Sequence, residues 1–163
     1  MTELLCHENQ LTALDLTHNT ALATVYCPNN RLTALDLSKN TALATLACSR
    51  NQLTALDLSQ NTAITELYCN NNQLAALDLS RNTALTELYC NGNRLTTLDL
   101  SRNTELTKIY CDDNPLTELN ISNLSKIEEI VFGDNPEINV IANSQTVVSD
   151  EVRHYMDGKR KTP

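Results

Sequence analysis

The sequence predicts a parallel β-solenoid built from 21-residue coils, and three observations carry that reading. Six cysteines, Cys6, Cys27, Cys48, Cys69, Cys90 and Cys111, stand 21 residues apart without exception. The block 64–84, ITELYCNNNQLAALDLSRNTA, returns one period later at 85–105 as LTELYCNGNRLTTLDLSRNTE. Within each period the phrase L-x-x-L-x-(L/C)-x-x-N occurs twice. A fixed period of this length marks units that cannot bury their apolar face alone and therefore stack.

Each half of a coil follows from its phrase. In one coil Leu85, Leu88 and Cys90 precede Asn93, then Leu95, Leu98 and Leu100 precede Asn103. The last two apolar residues of each phrase flank an outward one, the period-2 pattern of a strand. Two strands and two turns per coil are expected, in about seven coils stacked at roughly 4.8 Å. Two asparagine columns mark the turns: Asn9, Asn30, Asn51, Asn72, Asn93, Asn114 and Asn135, then Asn19, Asn40, Asn61, Asn82 and Asn103. An amide side chain donates and accepts at once, so stacked asparagines are expected to bridge one turn to the next. Thr20, Thr41, Thr62, Thr83 and Thr104 follow the second column and are expected to help close its turn.

The pattern decays toward the C-terminus. Asn120 replaces the aspartate of the phrase, Leu124 takes the place of the second Asn, and Pro136-Glu137 slips the register. The reading divides the chain into a solenoid over 1–143 and a cap with a basic tail over 144–163. A short helix is expected over 148–157, with Ser149 or Asp150 as N-cap and Gly158 as its stop. It would cover the last coil. At the other end Met1 stands where a leading Leu belongs. Leu4, Leu11, Leu14 and Leu16 are therefore expected to be partly uncovered, and the open edge to meet a second copy or a covering segment.

The phrase resembles the leucine-rich repeat family and, more narrowly, the bacterial 21-residue nested subclass called IRREKO, LxxLxLxxNxLxxLDLxxNxxx. The likeness spans roughly 1–139, with Cys standing at the sixth position where the family more often has Leu. It implies a right-handed leucine-rich repeat solenoid, mainly parallel β, whose first half-repeat strands line the binding face. It also implies bacterial surface or secreted relatives and no catalysis.

Bulk properties narrow the function classes. The 163 residues suit one domain, and the scarcity of Gly (3), Phe (1) and Trp (0) follows from a few residue types filling fixed columns. A net charge of −8 opposes a nucleic-acid partner, since phosphate binding needs a basic face. No apolar run approaches the roughly 18 residues of a membrane span, so no insertion is expected, and no signal peptide precedes the first repeat. His7, His18 and His154 lie far apart in coil order and outside any nucleophile, metal-ligand or phosphate-loop motif. An enzyme is not expected, nor a cofactor.

Three columns carry chemical options. The cysteines sit at an inward position, so their expected role is inert packing as small hydrophobes. Parallel neighbours offer poor disulfide geometry, and a single file too few converging ligands for zinc. Asp15, Asp36, Asp57, Asp78 and Asp99 point outward from the second half-repeat. A calcium ladder is one reading; carboxylates bonded to nearby Ser or Thr hydroxyls and turn N–H groups is the expected one. The third column is the outward face of the first strand. Tyr26, Tyr68, Tyr89 and Tyr110, flanked by Glu66, Glu87 and Lys108, form the candidate binding surface. Tyrosines that merely stack on one another are the bland alternative.

Together these predict a non-enzymatic recognition module that binds a protein through that face. A carbohydrate-binding adhesin module and a ligand-free repeat scaffold are the alternatives. An extracellular or cell-surface location is expected, although unpaired thiols fit a reducing compartment better.

Overall fold

A computed structural model describes residues 1–133, 135 and 138–142. One three-residue strand opens each coil: β1 (Glu3–Leu5), β2 (Thr24–Tyr26), β3 (Thr45–Ala47), β4 (Glu66–Tyr68), β5 (Glu87–Tyr89) and β6 (Lys108–Tyr110). Three more follow, β7 (Glu118–Asn120), β8 (Glu129–Val131) and β9 (Asn139–Ile141). The first six and β8 form a seven-stranded parallel sheet in the order β1-β2-β3-β4-β5-β6-β8. Every residue pairs with the one 21 positions on, as Leu67 with Leu88. Seven strands at that interval bound six full turns.

The period puts the core in the centre of the coil. The middle residue of each strand points inward: Val25, Leu46, Leu67 and Leu88 are fully buried, and Ile109 and Ile130 continue their file. The cysteine file lies two residues on, with Cys27, Cys48, Cys69, Cys90 and Cys111 at 0% exposure and Phe132 in the next place. The leucines of the second half close the core from the other side, as Leu74, Leu77 and Leu79 do. At the first coil Leu4, Leu11 and Leu14 are half-covered, as the repeat pattern implies. Leu16 departs from that expectation, because at 2% exposure it already lies inside the stack.

Two strands per coil is the expectation that fails. The second half forms a ladder only where β7 pairs with β9. In the earlier coils neighbouring second halves are tied by one backbone bond, such as Gln52 N–H to Leu32 O at 2.9 Å, and by asparagine side chains. The two residues in register at β7 and β9 offer a reason. Asn120 faces Ile141 there, whereas pairing in the earlier coils would set short aspartates directly opposite one another. The first-half sheet tolerates facing Glu66 and Glu87 because the longer side chains reach a tyrosine hydroxyl and a lysine.

The turns use asparagine in two different ways. In the first column Asn72 accepts the Leu53 N–H at 3.0 Å and donates to Cys69 O and Cys48 O, both at 3.1 Å. In the second, Asn82 donates to Leu58 O at 3.2 Å and Asn61 O at 2.9 Å, while its Oδ1 has no partner among the described residues. The expected exchange of donor and acceptor thus holds for the first column only. The second turn is closed by backbone bonds, Asn82 N–H to Leu79 O and Leu85 N–H to Asn82 O, with no part for the threonine hydroxyls among the described residues. A further column has positive φ at each first-half turn: Glu8, Asn29, Arg50, Asn71, Gly92 and Asp113, between 51° and 64°. The helix expected over 148–157 and the tail beyond it lie outside the described residues.

Candidate interaction face

The outward residues of β4, β5 and β6 converge as the sequence implies. In-register pairing places Tyr68, Tyr89 and Tyr110 side by side, and they stack with ring centroids 4.8 Å and 4.5 Å apart at 29° and 9°. Offset stacking of this kind adds about 0.5–1.5 kcal/mol per pair beyond area burial. It occupies both faces of the Tyr89 ring and one each of Tyr68 and Tyr110. Between its two ends the strip offers solvent ring edges and hydroxyls, and all three residues are half-buried.

A polar network runs beside the stack. Glu87 accepts the Tyr68 hydroxyl on Oε2 at 3.0 Å and the Lys108 ammonium on Oε1 at 2.8 Å. Glu66 is a weaker second acceptor for Tyr68, at 3.4 Å. Tyr110 donates to Glu129, a partner that the repeat reading did not single out. Tyr89 alone of the three makes no hydrogen bond with its hydroxyl among the described residues.

These contacts fix the charge states of the face. The bond from Lys108 holds Glu87 below the usual carboxylate range and raises the lysine in turn. Burial, followed by the bond to Glu87, pushes the Tyr68 phenol well up. The bond to Glu129 takes Tyr110 to about 12, and burial raises Tyr89. Around neutral pH the face therefore carries neutral phenols beside a closed ion pair.

Tyr26, the fourth predicted tyrosine, does not join the strip. Ala47 stands between it and Tyr68 in the column, and Tyr26 instead meets His7 edge-on at 5.4 Å and 79°. It is 41% exposed. An open hollow of ≈ 470 Å³ lies between Tyr26 and Tyr68. The alanine that creates it was visible in the sequence as a gap in the tyrosine column, but its meaning depends on the neighbouring rings being stacked.

The other two columns are occupied with structural work. Each aspartate accepts the N–H two residues on, as Asp57 does from Ser59 at 2.9 Å, in the Asx turn that the sequence reading favoured. That bond is the main cause of the lowered pKa of Asp57; for Asp78 the Ser80 hydroxyl leads. Among the described residues no group of three or more His, Cys, Asp or Glu side chains is placed to hold a metal ion. All six cysteines are free thiols, and burial takes Cys27, Cys69 and Cys111 to about 12. Among the same residues no helix is long and apolar enough to cross a membrane.

Fold and face together define a stacked-coil β-solenoid with one continuous open sheet surface, the architecture of a binding scaffold. A family model of leucine-rich repeats matches residues 62–103. Among solved structures, the functional domain of InlJ from Listeria monocytogenes, described as including a cysteine ladder, aligns with a TM-score of 0.87 and 35% identity. That alignment covers 90% of this chain and 33% of that one. An internalin (InlF) from Listeria monocytogenes aligns with a TM-score of 0.76 at 17% identity, over 88% of this chain and 48% of that one. A leucine-rich repeat protein of Leptospira interrogans aligns with a TM-score of 0.79 at 20% identity, over 96% and 46%. At those two identities the likeness is one of fold. The chain spans less than half the length of each of these structures, and no curated protein sequence matches it. With its 21-residue period the chain belongs to the leucine-rich repeat family, whose members are typically binding scaffolds rather than enzymes.

Proposed function

We propose that the chain is a non-enzymatic recognition module that binds a protein partner across the face of the seven-stranded sheet, with residues 1–143 as the working unit. The observation that carries this reading is the strip of Tyr68, Tyr89 and Tyr110 edges beside the Glu87–Lys108 pair, with the Tyr89 hydroxyl left open. Tyrosine brings wide contact area and a hydroxyl at low entropic cost, which suits it to protein interfaces. A carbohydrate partner fits the strip less well. Sugar rings pack on aromatic faces, and within the strip only the outer faces of Tyr68 and Tyr110 are not spent on a neighbouring ring. We also infer a surface or secreted location, supported by the likeness to Listeria internalin structures. The free thiols oppose it only weakly, because five of the six are buried.

A photo-crosslinking amino acid placed at Val131, beside Tyr110, and in a second sample at exposed Ala76, on the opposite side, tests the reading. The expected result is capture of one protein from position 131 alone, competed by unlabelled chain. Tyr89→Ala should then weaken that complex by about 1–3 kcal/mol. It should also cost the fold about 1–3 kcal/mol, since it removes two stacked pairs. Tyr89→Phe, which keeps the stack, separates the two effects. Capture from position 76 with the tyrosine variants silent would overturn the assignment.

A further inference from the structure

We propose that the gap at Ala47 is a slot for a single indole or phenol side chain of a polypeptide partner. This rests on recognition through the sheet face and names what enters it. Tyr26 and Tyr68 stand on β2 and β4, two strand steps apart, or about 9.6 Å. The stacked rings of the same column step by 4.8 Å and 4.5 Å. The gap is therefore two stacking steps wide and one ring is missing from it. Ala47, 3% exposed, is its floor, and the hollow of ≈ 470 Å³ is the space the absent ring leaves.

The faces bordering the gap are the ones still available. Tyr68 spends one face on Tyr89 and turns the other toward β3; Tyr26 has its edge-on contact with His7, from the first coil, on the side away from β3. A planar ring entering here lies against the open face of Tyr68, with Tyr26 as the opposite wall. The polar lining selects its edge. Asn70 Oδ1 already accepts the Ser49 hydroxyl at 2.5 Å, and the Tyr68 hydroxyl is committed to Glu87. The Glu66 carboxylate, with only the 3.4 Å contact to Tyr68, keeps accepting capacity. An indole N–H or a phenol O–H supplies one donor to it. Asn29, Thr45 and Arg50 also line the hollow, and a pyranose that drew on them is the competing occupant the titration controls for.

The experiment is a titration of ¹⁵N-labelled chain with N-acetyl-L-tryptophanamide, followed by NMR. Saturable amide shifts at Ala47 and Ser49 are expected, with NOEs from the indole protons to both the Tyr26 and Tyr68 rings. Ala47→Tyr places in the gap the residue that four other coils carry there, so it should fold, and it should weaken the probe about tenfold or more. Tyr26→Ala, which removes one wall, should do the same. Absence of saturable shifts at Ala47, equal titration of the Ala47→Tyr variant, or NOEs from methyl N-acetylglucosaminide in place of the indole would each overturn the slot. The wider face is read separately, by capture from position 131, which does not involve the probe. Failure of the slot and failure of the face are thereby distinguishable.

Discussion

Asparagine shows how one residue type fills two roles according to where its amide is caught. Removing the Asn72 side chain orphans the buried Leu53 N–H, while Cys48 O and Cys69 O each keep one amide donor, from Asn51 and Asn93. Removing that of Asn82 orphans nothing, since Leu58 O and Asn61 O keep the backbone N–H groups of Asn61 and Ile64, and it takes away an unpartnered oxygen. A buried group without a partner costs about 1–3 kcal/mol, so Asn72→Ala should lose about that much and Asn82→Ala clearly less. Urea unfolding of the two variants measures the difference; equal losses would refute the division of roles. The asparagine columns were legible in the sequence because a single residue type recurs. The positive-φ column was not. Glu8 and Arg50 share a backbone conformation with Asn29, Asn71, Asp113 and Gly92, although only the latter four are residue types that favour or tolerate it. At Gly92 the close approach is also visible, since a Cβ would meet Asn71 Oδ1 at 2.6 Å.

At the scale of the element, the inward files behave as the period-2 pattern implies and the outward ones do not reduce to it. The cysteine file is the simplest case. Five thiols are fully covered with their ionisation pushed up by burial, and Cys6, at the first coil, is half-exposed. Thiolate is the reactive form, so a native sample treated with a thiol reagent should release one equivalent in the fast phase and the remaining five only on unfolding. Two or more fast equivalents would show that the file opens in the folded state. The second half-repeat reads as a strand in the sequence, yet a period-2 pattern specifies which way side chains point and not whether backbones pair. Leu77, Asp78 and Leu79 alternate in and out as expected, but no ladder joins them to their neighbours. The tyrosine column misleads in the opposite sense. Three rings at outward positions suggest open faces, and register pairing instead turns them onto each other.

For the molecule as a whole, the aspartate column sets the acid limit. The folded pKa values of Asp15, Asp36, Asp57, Asp78 and Asp99 lie below the ordinary 3.8. A carboxyl with a depressed folded pKa contributes stability that is present above its unfolded value and lost as pH falls through the folded one. The melting temperature should therefore hold steady from neutral pH down to about 4.5 and decline below about 4. Asp57→Asn is the informative variant. Asn120 already accepts the Ser122 N–H at 3.0 Å in the sixth coil without a titrating group. The substitution should keep the turn, relieve repulsion from Asp36 and Asp78 at neutral pH, and shrink the acid-dependent part of the loss. A melt of Asp57→Asn that follows the parent at every pH would show that the column does not govern acid stability.

The side-chain bonds by which the two asparagine columns tie one coil to another span 19, 21 or 24 residues, so each reaches the adjacent coil and no farther. A coil cut out at any interior point, or copied in, leaves donors and acceptors that meet the same partners as before. The gene can thus gain or lose length in whole periods by misaligned recombination without a compensating change elsewhere. What such an event alters is only the distance along the stack between Tyr26 and the tyrosines beyond the gap, so the ruler of the surface is inherited independently of the rules that hold it together.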